Sequence, residues 1–216
     1  FENNLDFIFD DNFINLISDL PQYPDDGFIQ PIEKKLIENK LLKEGFKRIP
    51  TENQLRNLQK ICSLKAAASF SVPGAGKTTE ALAFYAFHKK VLNSKLLVAC
   101  PINAFISWQD EVTKCFSNQK KIVRLRGSVE EIEKLMHENS EAMIINYDAL
   151  RNPKKYNLIR EFIIENQNNL TVIFDESHKI KGDKISRLIS PLAPFKKNKL
   201  ILTGTPMPQA SSDLRA

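Results

Sequence analysis

Ser71-Val-Pro-Gly-Ala-Gly-Lys-Thr-Thr79 joins an apolar run to a helical pattern. Glycines in such a turn let backbone N–H groups point inward around phosphate oxygens, and a helix start adds positive potential. Lys77 is then placed to reach terminal phosphates and Thr78 to offer its hydroxyl to Mg2+, while Pro73, Gly74, Ala75, Gly76 and Thr79 complete a loop that could hold a nucleotide. A strand-to-helix turn with a capping threonine is the plain alternative. Ser71 stands where the strict phosphate-loop pattern has glycine.

A second group of residues matches the first. Leu170-Thr-Val-Ile-Phe-Asp-Glu-Ser-His-Lys179 ends an apolar run in two carboxylates. A carboxylate at the tip of a buried strand, Asp175, can hold magnesium through water, and the next, Glu176, can orient and deprotonate an attacking water. Acids after a strand are often ordinary loop residues, but here they accompany a Gly-Lys-Thr loop.

The elements that must carry these residues follow from periodicity. Near-continuous apolar runs at 68–72, 95–100, 121–126, 142–147, 170–175 and 199–204 alternate with amphipathic helical stretches. That alternation predicts an α/β fold, a mostly parallel sheet covered by helices on both faces, with ligands at the carboxyl ends of the strands. Before it, residues 1–47 read as a mainly helical leader or accessory element, and 48–216 as the main lobe. Apolar positions 32, 36, 37, 41 and 42 would form one helical face, with Gly45 placed to end that helix.

Charge is unevenly distributed. The total is +5, yet no Lys or Arg precedes Lys34, whereas Glu2, Asp6, Asp10, Asp11, Asp19, Asp25 and Asp26 do. The remainder is therefore basic enough for a polyanionic partner, and the acidic leader suits a protein partner. Cys62, Cys100 and Cys115 lack the spacing of a disulfide framework or a zinc site. No apolar run is long enough to span a membrane. These features, with Phe1 as first residue, suggest a piece of a longer soluble protein of a reducing, cytoplasmic compartment.

The motif order resembles the first RecA-like lobe of superfamily-two helicases, in the branch of Swi/Snf-type DNA translocases. The resemblance rests on residues 72–79 (VPGAGKTT), 96–112 (LLVACPINAFISWQDEV), 144–150 (IINYDAL), 173–182 (IFDESHKIKG) and 200–214 (LILTGTPMPQASSDL). It departs from the usual pattern at Ser71 and Val72, at Ser177, and at Gln209.

The resemblance implies an ATP- and Mg2+-dependent motor on DNA, with Lys77, Asp175 and Glu176 as its catalytic group. It implies that Gln54 reads adenine, although Thr51-x-x-Gln54 is also a helix capping box. It gives His178, Thr203, Gly204 and Thr205 a coupling role, and Pro101, Asn103, Tyr147 and Arg151 phosphate contacts along double-stranded DNA. Trp108 reads as packing. A second RecA-like lobe of the parent chain would supply arginine to the transition state, so residues 1–216 alone should turn ATP over slowly. A strand-separating or restriction-type helicase and a nucleotide-gated scaffold are the alternatives. A role in antiviral defence is suggested by fold-level analogy alone.

Overall fold

The computed structural model describes residues 30–71, 74–90, 93–116, 121–138, 141–176 and 198–204. Among them six strands form one sheet: β1 (Ala66–Ser69), β2 (Lys95–Cys100), β3 (Ile122–Arg124), β4 (Ala142–Asn146), β5 (Leu170–Asp175) and β6 (Lys199–Leu202). Their spatial order is β1-β6-β5-β2-β4-β3, and every pairing is parallel. The helices are α1 (Lys34–Lys43), α2 (Glu52–Ile61), α3 (Lys77–His88), α4 (Phe105–Cys115), α5 (Val129–His137) and α6 (Pro153–Glu165). No described helix is long and apolar enough to cross a membrane.

Side chains alternate across the sheet, and both faces are covered. On one face Leu96, Val98, Ile144, Ile173 and Leu200 pack with Leu41, Leu58, Leu82, Phe84 and Val112 from α1 to α4. On the other, Leu97, Met143, Ile145, Val172 and Phe174 meet Ile132 and Met136 of α5 and Ile159, Phe162 and Ile163 of α6. The runs of β2, β4 and β5 are continuous because these strands are buried on both sides, whereas β1 and β6 alternate between buried and exposed residues.

β2 and β5 coincide with their apolar runs, and the other four strands are shorter than theirs. β1 lies at Ala66–Ser69 instead of 68–72, because the chain leaves the sheet after Ser69 to form the loop, and Phe70 is exposed. α1 also buries less than its apolar spacing predicts: Ile37 and Leu41 face the core, while Leu36 and Leu42 are exposed. Gly45 ends α1 as expected. Its φ of 72° lets its own N–H donate to Leu42 and that of Phe46 to Leu41, the paired bonds of a Schellman turn.

That turn directs Phe46 onto Phe116, with ring centroids 5.3 Å apart, and the Lys47 N–H onto the Cys115 carbonyl at 2.7 Å. Ile37, Leu41 and Phe46 thus share the core of the sheet. A compact unit begins at Pro31, and within it these three side chains pack with the helices and strands of the sheet. Residues 1–29, including the acidic leader, lie outside the described residues.

His88, near the end of α3, packs on Phe84 and Phe87 with centroids at 4.4 and 5.3 Å, and its Nε2 is buried without a hydrogen-bond partner. Burial pushes its pKa down from 6.5 to about 4. The neutral ring is favoured in the fold, so its contribution is complete above the unfolded value and is lost as pH falls through the folded one. His88→Phe is expected to flatten the loss of stability between pH 6.5 and 4 in urea titrations. An unchanged pH slope would show that His88 does not cause it.

Candidate active site

Register aligns the candidate residues. Ser69 pairs with Leu202, and Leu202 pairs with Asp175, so β1, β6 and β5 end abreast. Adjacent strands lie about 4.8 Å apart, which sets the start of the phosphate loop roughly 10 Å from Asp175, with Thr203 leaving the strand between them. The Thr203 N–H donates to the Ser69 carbonyl at 3.1 Å and extends that alignment by one residue.

Gly74 and Gly76 adopt φ of 84° and 78°, values that turn the chain tightly into α3 and that L side chains adopt only with strain. Lys77 Nζ donates to the Ser71 carbonyl at 3.0 Å, folding back across the loop. Of the two readings of Gln54, the structure shows the capping box. It forms the capping box with Thr51, accepting from the Thr51 N–H at 2.9 Å, while its Nε2 donates to the carbonyls of Ala75 and Gly76 at 3.2 and 3.3 Å. Reading an adenine edge would require this amide to give up some of those bonds.

Beneath the loop sits Glu80, 1% exposed. Asn57 donates to its Oε1 at 2.6 Å, and the hydroxyls of Ser69 and Ser71 donate to its Oε2 at 3.3 and 3.4 Å. Burial pushes its carboxyl above the usual range, and these bonds oppose that rise. Ser71, the residue that departs from the glycine pattern, therefore spends its hydroxyl on the acid that supports the loop. Sequence reasoning missed Glu80. The one clue was an acid at the head of the apolar run 81–87 (ALAFYAF).

Asp175 is 8% exposed and accepts from Trp108 Nε1 at 2.8 Å. Burial pushes its carboxyl up, while the Trp108 bond and the charge of Lys77 act to lower it. Glu176, next in the chain, has φ 52°. A non-glycine residue in the left-handed region is strained, and such strain concentrates where side-chain aim matters.

Mg2+ takes oxygen donors, with one or two from protein and the rest from phosphates and water. The Thr78 hydroxyl on the first turn of α3 and the Asp175 carboxylate are donors of that type. A buried carboxyl disfavoured by desolvation is also one that a cation would relieve. The residues fit the ion.

The candidate nucleic-acid residues divide. Pro101 caps the 3-10 turn Ile102–Ala104 after β2, and Asn103 in that turn is exposed. Arg151 is exposed in the 3-10 turn Ala149–Arg151 after β4, beside Asp148 at 3.3 Å. Cys100 and Asn146 are paired at the ends of β2 and β4, so these two turns leave the same sheet edge together. Tyr147 corrects the expectation: it is buried, and its hydroxyl donates to the Asp175 carbonyl at 2.7 Å, making it a support of the carboxylate strand and not a surface contact. Trp108 is buried as expected, with a polar duty added. Gly204 ends the described segment after β6, and Pro73, His178 and Thr205 lie outside the described residues.

A parallel sheet with a glycine-bearing loop after β1 and an Asp-Glu pair at the end of β5 defines a RecA-like P-loop lobe. The SNF2-related domain profile matches residues 71–216, and the chain belongs to that family. It is 28% identical over 153 residues to human Chromodomain-helicase-DNA-binding protein 1, covering 65% of this chain and 8% of that protein. It is 28% identical over 141 residues to ATP-dependent helicase FUN30 of Saccharomyces cerevisiae, covering 62% and 12%. The chain thus spans a small part of these relatives.

The fold is also similar to the SWI2/SNF2 ATPase core of Sulfolobus solfataricus solved in complex with dsDNA, with TM-score 0.59, 20% identity, and coverage of 79% of this chain and 35% of that one. The UvsW helicase of bacteriophage T4 gives TM-score 0.60 and 18% identity, covering 85% and 64%.

A Cβ added to Gly76 would lie 2.4 Å from Gln54 Nε2, on a backbone already at φ 78°. Gly76→Ala is expected to weaken ATP binding about 5- to 30-fold through loop strain on the order of 1–2 kcal/mol. Titration with a fluorescent ATP analogue measures this, and wild-type affinity would show that the loop absorbs the methyl group.

Proposed function

We propose that this lobe is the ATP-binding half of a Swi/Snf-type motor that couples ATP hydrolysis to translocation on double-stranded DNA. The observation that supports the reading is the row formed by Ser69, Leu202 and Asp175, which brings the ends of β1 and β5, two strands apart, to one edge of the sheet. Gly74 to Thr79 bind the phosphates, and Lys77 exchanges the Ser71 carbonyl for a terminal phosphate oxygen. Glu176 orients a water and takes its proton as the water oxygen bonds to the γ-phosphorus and the bond to the bridging oxygen breaks, leaving ADP. Mg2+, when bound by Thr78 and Asp175, supplies charge neutralisation between the phosphates. Gln54 is assigned to the adenine edge, and Thr203, Gly204, Thr205 and His178 to coupling.

DNA phosphates are assigned to the edge that carries Pro101, Asn103 and Arg151, contacts that position without reading sequence. The partner in the solved Sulfolobus structure supports duplex DNA as the track. A second lobe of the parent chain is assigned the arginine that completes the site, so residues 1–216 alone should hydrolyse ATP slowly.

In the parent protein, Lys77→Ala is expected to abolish ATP binding and turnover. Glu176→Gln should keep binding while lowering phosphate release by about 100-fold or more. Turnover retained by Glu176→Gln would remove the proposed base. Stimulation by single strands in preference to duplex, with strand displacement, would assign a helicase instead.

A further inference from the structure

α4 sends two side chains from one face into the two halves of the site. Trp108 and Glu111 are three residues apart, so they project from neighbouring turns of the same helix. Trp108, fully buried, donates its indole N–H to Asp175 Oδ2 at 2.8 Å. Glu111 Oε1 accepts a hydrogen bond from the Thr79 hydroxyl, in the first turn of α3, and also from Arg48 Nη1 and, at 3.6 Å, Cys115 Sγ. Burial acts to raise the Glu111 carboxyl, yet the Thr79 and Arg48 bonds and the Arg48 charge outweigh it and hold that carboxyl below its usual range. Thr79 thus faces a charged acceptor.

The same helix begins at Phe105, directly after the Ile102–Ala104 turn that carries the exposed Asn103. Its other end is fixed, since Cys115 accepts the Lys47 N–H at 2.7 Å. One rigid element therefore touches the candidate DNA edge, the magnesium carboxylate and the phosphate-loop helix.

We infer that Trp108 and Glu111 are positioning residues: Trp108 fixes the Asp175 carboxylate for Mg2+, Glu111 fixes the start of α3 through Thr79, and α4 carries DNA engagement to both. This rests on the proposed ATPase reading. The indole N–H sets which Asp175 oxygen is committed to protein, and the Glu111 bond sets where α3 begins relative to that carboxylate. A shift of α4 on binding DNA would move both together, which gives DNA a physical route to the chemistry.

The test uses the parent protein with Trp108→Phe, Glu111→Ala and Glu111→Gln. Binding of a fluorescent ATP analogue is measured with Mg2+ and with EDTA, and phosphate release with and without a blunt linear duplex. Trp108→Phe keeps an aromatic ring and removes the donor. Its affinity in EDTA should stay near wild type while the tightening by Mg2+ falls roughly tenfold, the scale of one lost hydrogen bond to a charged group. Glu111→Ala should lower stimulation by duplex by about the same factor. Glu111→Gln, which still accepts from Thr79, should recover much of it.

Wild-type Mg2+ dependence in Trp108→Phe, together with wild-type duplex stimulation in Glu111→Ala, would overturn the inference. If Trp108→Phe unfolds, the two Glu111 variants decide: equal behaviour of alanine and glutamine overturns it. Failure of the underlying reading has a different signature, the absence of ATP turnover in the wild-type protein.

Discussion

The in-register pairing of β6 between β1 and β5 is the constraint on which the site depends. Leu202 faces Ser69 on one side and Asp175 on the other. Because side-chain direction has a period of two, a slip by one residue in either pairing would turn every core residue of that strand to the wrong face. Leu200 and Leu202, both fully buried, pin β6 against the α1–α4 side of the core. The loop and the carboxylates are thus aligned by hydrophobic packing well away from the chemistry.

Placing charge at this alignment has a cost, met by local hydrogen bonds. Glu80, Asp175 and Glu111 all feel burial that acts against their charged forms. Each accepts from a donor on a different element: Asn57 of α2 for Glu80, Trp108 of α4 for Asp175, and Thr79 of α3 for Glu111, which Arg48 holds as well. These bonds cross between elements, so the polar network fixes the helices relative to the sheet edge while the apolar core fixes them to its faces.

Much of this was legible in the sequence. Strands buried on both faces announce themselves as unbroken apolar runs, and Gly45, Gly74 and Gly76 stand where positive φ is needed. The Lys77 and Asp175–Glu176 groups were readable because their types and order are chemically specific. Tyr147 was not, since an aromatic residue after a strand gives no sign of which way it turns, and its hydroxyl reaches past β2 to a carbonyl at the end of β5. Glu80 escaped notice because its burial depends on α2 and the end of β1, which are distant in sequence. Gln54 carried two readings, and the loop carbonyls it bonds could not be inferred from the capping pattern.

The central claim is that one triphosphate bridges the loop after β1 and the carboxylates after β5. A structure of the parent protein with a non-hydrolysable ATP analogue and Mg2+ tests it most directly. Lys77 Nζ is expected to leave the Ser71 carbonyl for a terminal phosphate oxygen, with the metal between Thr78 and Asp175. A nucleotide bound elsewhere, or Lys77 still seated on Ser71 beside an occupied loop, would contradict it.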